Sequence, residues 1–248
     1  MVVFVGAGPG APDLITLRGQ KALAGADVVV YAGSLVNPAL LENCKAGCTV
    51  HNSAGMTLEE VLAVMVQAVA EGKAVVRLHT GDPSLYGAIR EQMDALKKQG
   101  IDYEVVPGVS SFLGAAAALR AEFTLPGVSQ TLILTRMEGR TPVPSKEDLA
   151  ALASHQASMS IFLSAAMLEK LAAKLLEGGY RPDTPAAVVY RATWADELVV
   201  RTTVAGLAAV QGIGKTALVL VGDFLGQDYE RSKLYDPDFT HEYRKGRP

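Results

Sequence analysis

The chain has 248 residues and a formal net charge of −3, and 49% of its residues are apolar against 20% charged. The apolar content excludes a disordered chain, and 24 Gly, 12 Pro and 2 Cys exclude a collagen-like or disulfide-dense fold. Because the balance is slightly acidic and every apolar stretch is interrupted before about 18 residues, we expect a cytoplasmic protein without a nucleic-acid or membrane partner. Cys44 and Cys48 form no zinc pattern with the scattered histidines, so no metal site is expected.

The first half of the chain alternates short apolar runs with helical patterns. Runs rich in Val, Ile and Tyr predict strands at residues 2–5, 28–31, 75–79 and 103–106. Between them, the spacing of apolar residues predicts helices at residues 16–23, 58–70 and 89–98. This alternation favours a mostly parallel sheet that is covered by helices on both faces.

The second half is richer in strands. Apolar runs predict strands at residues 131–136, 160–163, 186–191, 198–204 and 217–221. A short connection around residues 192–197 favours an antiparallel hairpin, so we expect a mixed sheet.

A small-residue helix at 111–119, followed by Pro126-Gly127, marks the best boundary between these halves. We therefore expect an N-terminal α/β domain at residues 1–119 and a C-terminal mixed α/β domain at 120–228. A charged extension at 229–248 completes the expected organisation.

Two segments resemble nucleotide-binding motifs, but each has features that count against a nucleotide site. Residues 6–11 fit G-x-G-x-x-A, but Pro9 and Pro12 remove amide donors that a pyrophosphate would need, which disfavours a dehydrogenase. Residues 212–216 resemble the end of a P-loop, yet Ala209 stands in place of its first glycine and the strand follows instead of preceding. Neither motif supports a phosphate site.

Turns rich in Gly, Pro and Ser follow the predicted strands of the first half. They lie at residues 6–12, 31–34, 79–83 and 107–111. Ligands of open α/β sheets bind beyond the carboxyl ends of the strands, where glycine lets the main chain approach closely. Together these turns predict a ligand-lined edge.

Four segments carry a specific combination of motifs: V-G-x-G-P-G-x-P-D-L-I-T-L-x-G at residues 5–19, A-D-V-V-V-Y at 26–31, G-D-P followed by Tyr86-Gly87 at 81–87, and P-G-V-S-S at 107–111. In combination they resemble the tetrapyrrole methylase family, over roughly residues 1–226. The resemblance implies an α/β protein of two domains, a homodimer, and S-adenosylmethionine as the methyl donor, with S-adenosylhomocysteine as its product. It also implies that donor and tetrapyrrole substrate lie in a cleft between the domains.

Three further segments narrow this resemblance: residues 32–36, 134–144 and 190–197. They look like the branch that methylates precorrin-4 or cobalt-precorrin-4 at C11 in cobalamin biosynthesis. Uroporphyrinogen III methyltransferases usually have Asp-Arg where this chain has Ala32-Gly33. That branch, diphthine synthase and a non-catalytic nucleotide- or tetrapyrrole-binding protein remain alternatives, and no sequence feature separates a cobalt-bearing from a metal-free substrate.

The resemblance implies that the donor is held largely by main chain. The matching positions are Pro9, Thr80, Gly81, Asp82, Leu85, Ser110, Ser111, Leu163, Ala192 and, with the weakest match, Ala217. The carboxylate of Asp82 can accept a hydrogen bond from the amino group of the donor, and an Asp before Pro also forms turns.

A tetrapyrrole that bears acetate and propionate arms requires cations around it. Arginine is suited to this because its planar guanidinium binds carboxylates in bidentate fashion. The expected substrate-binding residues are Tyr31, Ser34, Arg90, Arg136, Glu138, Arg140 and Arg191. Glu138, His79 and Tyr31 are candidate proton acceptors, and the sequence assigns no catalytic residue among them.

Overall fold

The computed structural model describes residues 1–214 and 216–247, and the side chain of Ser34 also lies outside the description. The chain divides into two compact units. The first comprises Met1–Ala115 and Arg191–Glu197, and the second comprises Ala116–Tyr190 and Leu198–Pro248. Each unit contains one five-stranded sheet.

The first unit is built on a parallel sheet in the order β3-β2-β4-β1-β5. Its strands are β1 (Val2–Gly6), β2 (Val28–Tyr31), β3 (Thr49–Asn52), β4 (Val75–His79) and β5 (Tyr103–Val106). The α-helices between or after them are α1 (Leu17–Gly25), α2 (Leu58–Ala70), α3 (Ile89–Lys98) and α4 (Ser111–Leu119), of which α4 contains the boundary between the units.

Both faces of this sheet are buried, as in parallel sheets generally. Side chains alternate along each strand, so Phe4 and Val30 pack in one apolar cluster with Met65 of α2. Val5 and Leu78 belong to a second cluster. The carboxyl ends of β4, β1 and β5, which are neighbours in the sheet, are thereby held side by side.

The second unit is built on a mixed sheet in the order β6-β7-β10-β8-β9, in which only the β6–β7 pair is parallel. Its strands are β6 (Leu132–Arg136), β7 (Ser158–Phe162), β8 (Pro185–Tyr190), β9 (Leu198–Thr203) and β10 (Ala217–Val221). Its α-helices are α5 (Leu149–Ala153) and α6 (Leu168–Glu177). Leu171 and Leu175 of α6 bury against Ile161 of β7 and Val219 of β10.

The expected fold class, a parallel sheet followed by a mixed sheet, is confirmed. Helices α2 and α3 have the predicted bounds, whereas β7 begins at Ser158 and ends at Phe162, so Leu163 lies outside it. Strand β3 was missed because it is a short edge strand, three of whose four residues are exposed. The predicted domain limits at residues 119 and 228 stay predictions. No helix of residues 1–214 and 216–247 has the length and apolarity to span a membrane.

Candidate functional site

Three glycine-containing turns meet at the carboxyl edge of the first unit's sheet. The amide of Gly8 donates to the carbonyl of Gly81 at 3.2 Å, and the amide of Gly81 donates back to Gly8 at 2.8 Å. A Cβ added at Gly6 would lie 2.6 Å from the Cα of Gly108, and one added at Gly108 would overlap the carbonyl oxygen of Gly81. Glycine is required here because main chain packs directly on main chain.

Asp82 joins two of these turns. One carboxylate oxygen accepts from the amide of Ser84 at 2.8 Å and also from its hydroxyl, and the other accepts from the amide of Gly108 at 2.9 Å. Burial opposes the charge, but these hydrogen bonds outweigh it and lower the pKa of Asp82 below its ordinary value. Asp82 therefore carries a negative charge and connects the turn after β4 to the turn after β5 through hydrogen bonds.

Ser110 and Ser111 lie beside the Gly81 turn. Ser110 is buried, and its carbonyl accepts from the amides of Leu113 and Gly114 in the first turn of α4. A Cβ added at Gly81 would lie 3.4 Å from the Cα of Ser110 and from the amide nitrogen of Ser111. The positive end of the helix dipole lies at this end of α4, which makes it suited to an anionic group.

The segment Arg191–Glu197, here named the strap, connects β8 to β9 but belongs to the first unit. The indole N–H of Trp194 donates to the carbonyl of Pro9 at 3.1 Å, and the hydroxyl of Thr193 accepts from the amide of Ala11 at 2.9 Å. A Cβ added at Gly10 would overlap the ring of Trp194 and lie 2.9 Å from the carbonyl oxygen of Ala192. Ala192 and Pro9, both predicted donor contacts, are therefore brought together.

The strap also has internal bonds that hold an unusual backbone. Arg191 and Thr193 adopt left-handed conformations with φ of 46° and 71°, which cost energy for residues other than glycine. The guanidinium of Arg191 is 2.6 Å from Asp196 and lies 4.7 Å over the ring of Trp194. The amide of Thr193 donates to Glu197 at 2.6 Å. Arg191, expected to bind substrate, thus has partners within the strap.

In the second unit, several predicted residues share one edge of the mixed sheet. Arg136 ends β6 and pairs in register with Phe162, the last residue of β7. Leu163 follows at once, with a left-handed φ of 54° and 61% of its surface exposed. Ala217 begins β10, which runs antiparallel to β7, and is buried at the same edge. An exposed apolar residue held in a strained conformation is typical of a functional position.

The guanidinium of Arg136 anchors the loop at residues 137–144. It donates to the carbonyl oxygens of Met137 at 3.2 Å, Thr141 at 3.1 Å and Pro142 at 2.6 Å. Glu138 and Arg140 project from this loop and are exposed. Three of the five N–H groups of Arg136 are thus used by its own loop, which makes it a support for the loop as well as a candidate carboxylate ligand.

The remaining substrate candidates lie in the first unit. Tyr31 is half-buried at the end of β2, and Arg90 is exposed on α3, where it pairs with Asp94 at 3.0 Å. The side chain of Ser34 lies outside the described residues. Gly33 has a φ of 40°, and a Cβ there would overlap that of Ala54. The turn after β2 therefore has no room for the Arg of an Asp-Arg pair.

His79, a candidate proton acceptor, is buried and only 4% exposed, and its Nε2 has no hydrogen-bond partner within residues 1–214 and 216–247. Burial, aided by the charge of Arg77, lowers its pKa to about 3. A general base works best with a pKa near the working pH. His79 is therefore unsuited to take a proton from a substrate at neutral pH.

The sequence profile of the tetrapyrrole (corrin/porphyrin) methylases matches residues 1–208. The chain belongs to this family. The resemblance inferred from the four motif segments is thereby confirmed, and the protein is a methyltransferase of the tetrapyrrole methylase type.

Three relatives of this tetrapyrrole methylase match it over nearly their whole lengths. The cobalt-precorrin-4 C(11)-methyltransferase of Methanocaldococcus jannaschii is 58% identical over 98% of this chain and 96% of its own. That of Priestia megaterium is 52% identical over 98% and 97%. The precorrin-4 C(11)-methyltransferase of Mycobacterium tuberculosis is 47% identical over 94% and 95%.

Two solved structures are similar to this chain. A cobalamin biosynthetic enzyme, cobalt precorrin-4 methyltransferase, has a TM-score of 0.89 and 51% identity, covering 91% of this chain and 96% of its own. The uroporphyrin-III C-methyltransferase of Thermus thermophilus, complexed with S-adenosylhomocysteine, has a TM-score of 0.76 and 26% identity, covering 91% and 93%.

Residues that contact the turn at residues 9–11 were missed as site residues by sequence reasoning. Thr193 and Trp194 counted only as part of a motif, and Asn37, whose side-chain amide donates to the carbonyl of Gly10 at 2.9 Å, was not considered. Gly114 of α4 packs under Pro9, where a Cβ would lie 2.8 Å from that of Pro9. The one available signal was that the only tryptophan of the chain lies in a hairpin connection.

Proposed function

We propose that this protein is an S-adenosylmethionine-dependent methyltransferase that acts at C11 of precorrin-4 in its cobalt-containing form. The observation that carries the proposal is the near full-length identity to enzymes of that name. Identity is 58% and 52% to the two relatives named for the cobalt-containing substrate, against 47% to the relative named for precorrin-4.

The residues of the first unit fit the donor. We propose that its nucleoside and amino-acid parts contact Pro9, Thr80, Gly81, Leu85, Ser110, Ser111 and Ala192. The structure supports this assignment because most of these positions lie in or beside the turns that contain Gly6, Gly81 and Gly108, and a Cβ added at Gly6 or Gly108 would collide with main chain. Leu163 and Ala217, implied by the same resemblance, stay predicted donor contacts.

The charges around the turns suit an amino acid with both an ammonium and a carboxylate group. Asp82 is ionised because hydrogen bonds lower its pKa, and it places a negative charge between the turns after β4 and β5. The N-terminus of α4, beside the Gly81 turn, carries the positive end of the helix dipole, which suits a carboxylate. These opposite features support a zwitterionic ligand.

When bound, S-adenosylmethionine supplies an activated methyl group on a positively charged sulfur. The work left to the protein is to align the acceptor carbon with that methyl group and to exclude water, which supplies roughly 7–11 kcal/mol in favourable cases. Rigid turns suit this task because they lose little freedom on binding. In the first unit, the contacts of the strap and the hydrogen bonds of Asp82 provide that rigidity.

The acceptor carries many carboxylate arms, and we propose that the 137–144 loop binds some of them. Arg140 is exposed, and no ion pair of residues 1–214 and 216–247 includes it. Arg136 fixes the loop from which Arg140 projects. Tyr31, Ser34, Arg90, Glu138 and Arg191 remain predicted substrate residues. Pairing as a homodimer stays a prediction of the family resemblance, and a cytoplasmic location stays a prediction from composition.

The test is a methyl-transfer assay with donor labelled with carbon-13 in its methyl group. Cobalt-precorrin-4, metal-free precorrin-4 and uroporphyrinogen III are supplied separately, and the product is examined by carbon-13 NMR. We expect one new methyl signal attached to C11, formed fastest with cobalt-precorrin-4. Faster transfer to metal-free precorrin-4 would overturn the cobalt preference, and label on uroporphyrinogen III alone would overturn the C11 assignment.

A further inference from the structure

The main chain of residues 9–11 is held by side chains from distant parts of the first unit. The carbonyl of Pro9 accepts from Trp194, the carbonyl of Gly10 accepts from Asn37, and the amide of Ala11 donates to Thr193. Each of three consecutive residues thus has one main-chain polar group that is hydrogen-bonded to a side chain. This arrangement removes the freedom that a Gly- and Pro-rich turn would otherwise have.

Trp194 is central to this arrangement. Its ring occupies the space that a Cβ on Gly10 would need, and its N–H holds the carbonyl of Pro9. On the same ring lies the guanidinium of Arg191, which is also paired with Asp196. The ring therefore connects the turn after β1 to the start of the strap.

The consequence reaches Ala192, which lies between Arg191 and Thr193. Those two neighbours are held in left-handed conformations, so the main chain at Ala192 depends on what holds them. Ala192 is buried, and its carbonyl lies beside Gly10. A loss of the Trp194 contacts would release the strain and shift both Pro9 and Ala192.

We infer that Trp194 is a positioning residue for the methyl donor, which holds the Pro9 turn and the Ala192 main chain in one preformed arrangement. This inference rests on the proposed function, because it takes S-adenosylmethionine as the ligand of these two segments. Trp194 acts through main chain that it orders.

The chain offers a direct reporter of this arrangement, since Trp194 is its only tryptophan. Intrinsic fluorescence excited at the indole band therefore comes from the strap alone. Because the indole is already held on the Pro9 turn before the ligand binds, we expect the emission maximum of the wild-type protein to change little when S-adenosylhomocysteine saturates it.

Four variants separate positioning from general stability. Trp194→Phe keeps an aromatic ring but loses the N–H donor, and Trp194→Ala loses both. Gly10→Ala keeps the indole but places a methyl group where the ring lies. Thr193→Val is nearly isosteric and removes only the acceptor of the Ala11 amide. Gly25→Ala is the matched control, because no described atom of residues 1–214 and 216–247 lies within 4 Å of a Cβ there.

Binding of S-adenosylhomocysteine is measured by calorimetry, at a temperature well below the melting point of each variant. We expect the Kd to rise about fivefold in Trp194→Phe and Thr193→Val, as loss of one hydrogen bond implies. A rise of about fiftyfold or more is expected in Trp194→Ala and Gly10→Ala, with Gly25→Ala unchanged. The KM for the donor should rise in parallel while kcat changes less.

The outcomes are distinct. Wild-type protein that binds no S-adenosylhomocysteine overturns the proposed donor, and this inference with it. Wild-type binding together with unchanged Kd values in Trp194→Ala and Gly10→Ala overturns the inference alone, even if both variants melt earlier. A large shift of the Trp194 emission maximum at saturation would show that the indole is rearranged on binding, and would also contradict the inference.

Discussion

The candidate site residues of the two units are held in place by different kinds of contact. In the first unit, the turns after β1, β4 and β5 place main chain against main chain. Close contacts require glycine at Gly6 and Gly108, and a left-handed φ of 57° favours it at Gly81. In the second unit, the 137–144 loop is held by one side chain, Arg136, and carries exposed charged groups. The first arrangement suits one invariant ligand, whereas the second allows a charged surface to be changed without altering the fold.

Replacing a glycine of the first unit is expected to have the largest effect on stability. Gly108→Ala places a methyl group onto the carbonyl of Gly81, so we expect the free energy of unfolding to fall by about 3 kcal/mol and donor binding to be lost. Gly25→Ala, in open space, should change stability by less than about 1 kcal/mol. Denaturant titration measures both. Equal stability of the two variants would contradict the close packing of main chain.

We expect acid to lower the free energy of unfolding because His79 is buried in the first unit. Burial and the charge of Arg77 keep its folded pKa at about 3, whereas its ordinary value is 6.5, so between these pH values only the unfolded chain binds the proton. The contribution of unprotonated His79 to the free energy of unfolding is fully present above pH 6.5. It is lost as the pH decreases, so the free energy of unfolding falls by about 2 kcal/mol between pH 7 and pH 5.

His79→Leu removes this titration and keeps an apolar core. Denaturant titrations of both proteins at several pH values measure the difference. The variant should lose about 2 kcal/mol less than the wild type between pH 7 and pH 5. Parallel curves for the two proteins would show that His79 is protonated as easily when folded as when unfolded.

In the second unit, Arg136→Lys should affect the acceptor more than the donor. Lysine lacks the planar fork that reaches the carbonyl oxygens of Met137, Thr141 and Pro142, so the loop loses its anchor. We expect the KM for the tetrapyrrole to rise about tenfold, the binding energy of one or two hydrogen bonds. Steady-state kinetics with each substrate varied in turn measures it.

Arg231→Lys is the control for that variant, because Arg231 also donates to a main-chain carbonyl, that of Tyr235, but lies in the C-terminal segment. Its kinetic constants should equal those of the wild type. A rise in the KM for the donor, rather than for the tetrapyrrole, on Arg136→Lys would remove the distinction between the two units.

The smallest effect is expected at Arg90. Its pair with Asp94 is an exposed i, i+4 contact on α3, which contributes about 0.5 kcal/mol or less. Arg90→Ala should leave the free energy of unfolding within that range and raise the KM for the tetrapyrrole about twofold. A tenfold rise would show that Arg90 is a principal acceptor ligand.

Local patterns predicted much of this structure, and contacts between distant residues explain what they missed. Helix α2 has its predicted bounds because Thr57 and Glu60 form a capping box at its start. The glycine turns were found because each follows a strand. The role of the strap was not found, since it depends on a hydrogen bond between Ala11 and Thr193, which are 182 residues apart. No local pattern contains that information.

Leu163 shows a second limit of sequence reasoning. Its apolar side chain continues the pattern of β7, so the run at residues 160–163 predicted a strand residue. In the structure the strand ends at Phe162, and Leu163 is exposed in a left-handed conformation. Hydropathy does not distinguish a buried strand residue from an apolar residue that is exposed just after the strand ends.

The most direct test is a crystal structure of this protein with S-adenosylhomocysteine bound. We predict that the polar groups of the ligand are met mainly by main-chain atoms of the first unit, at Gly81, Ser110 and Ala192, with the indole of Trp194 still on the carbonyl of Pro9. A ligand whose polar groups are met chiefly by side chains of the 137–144 loop would contradict this prediction.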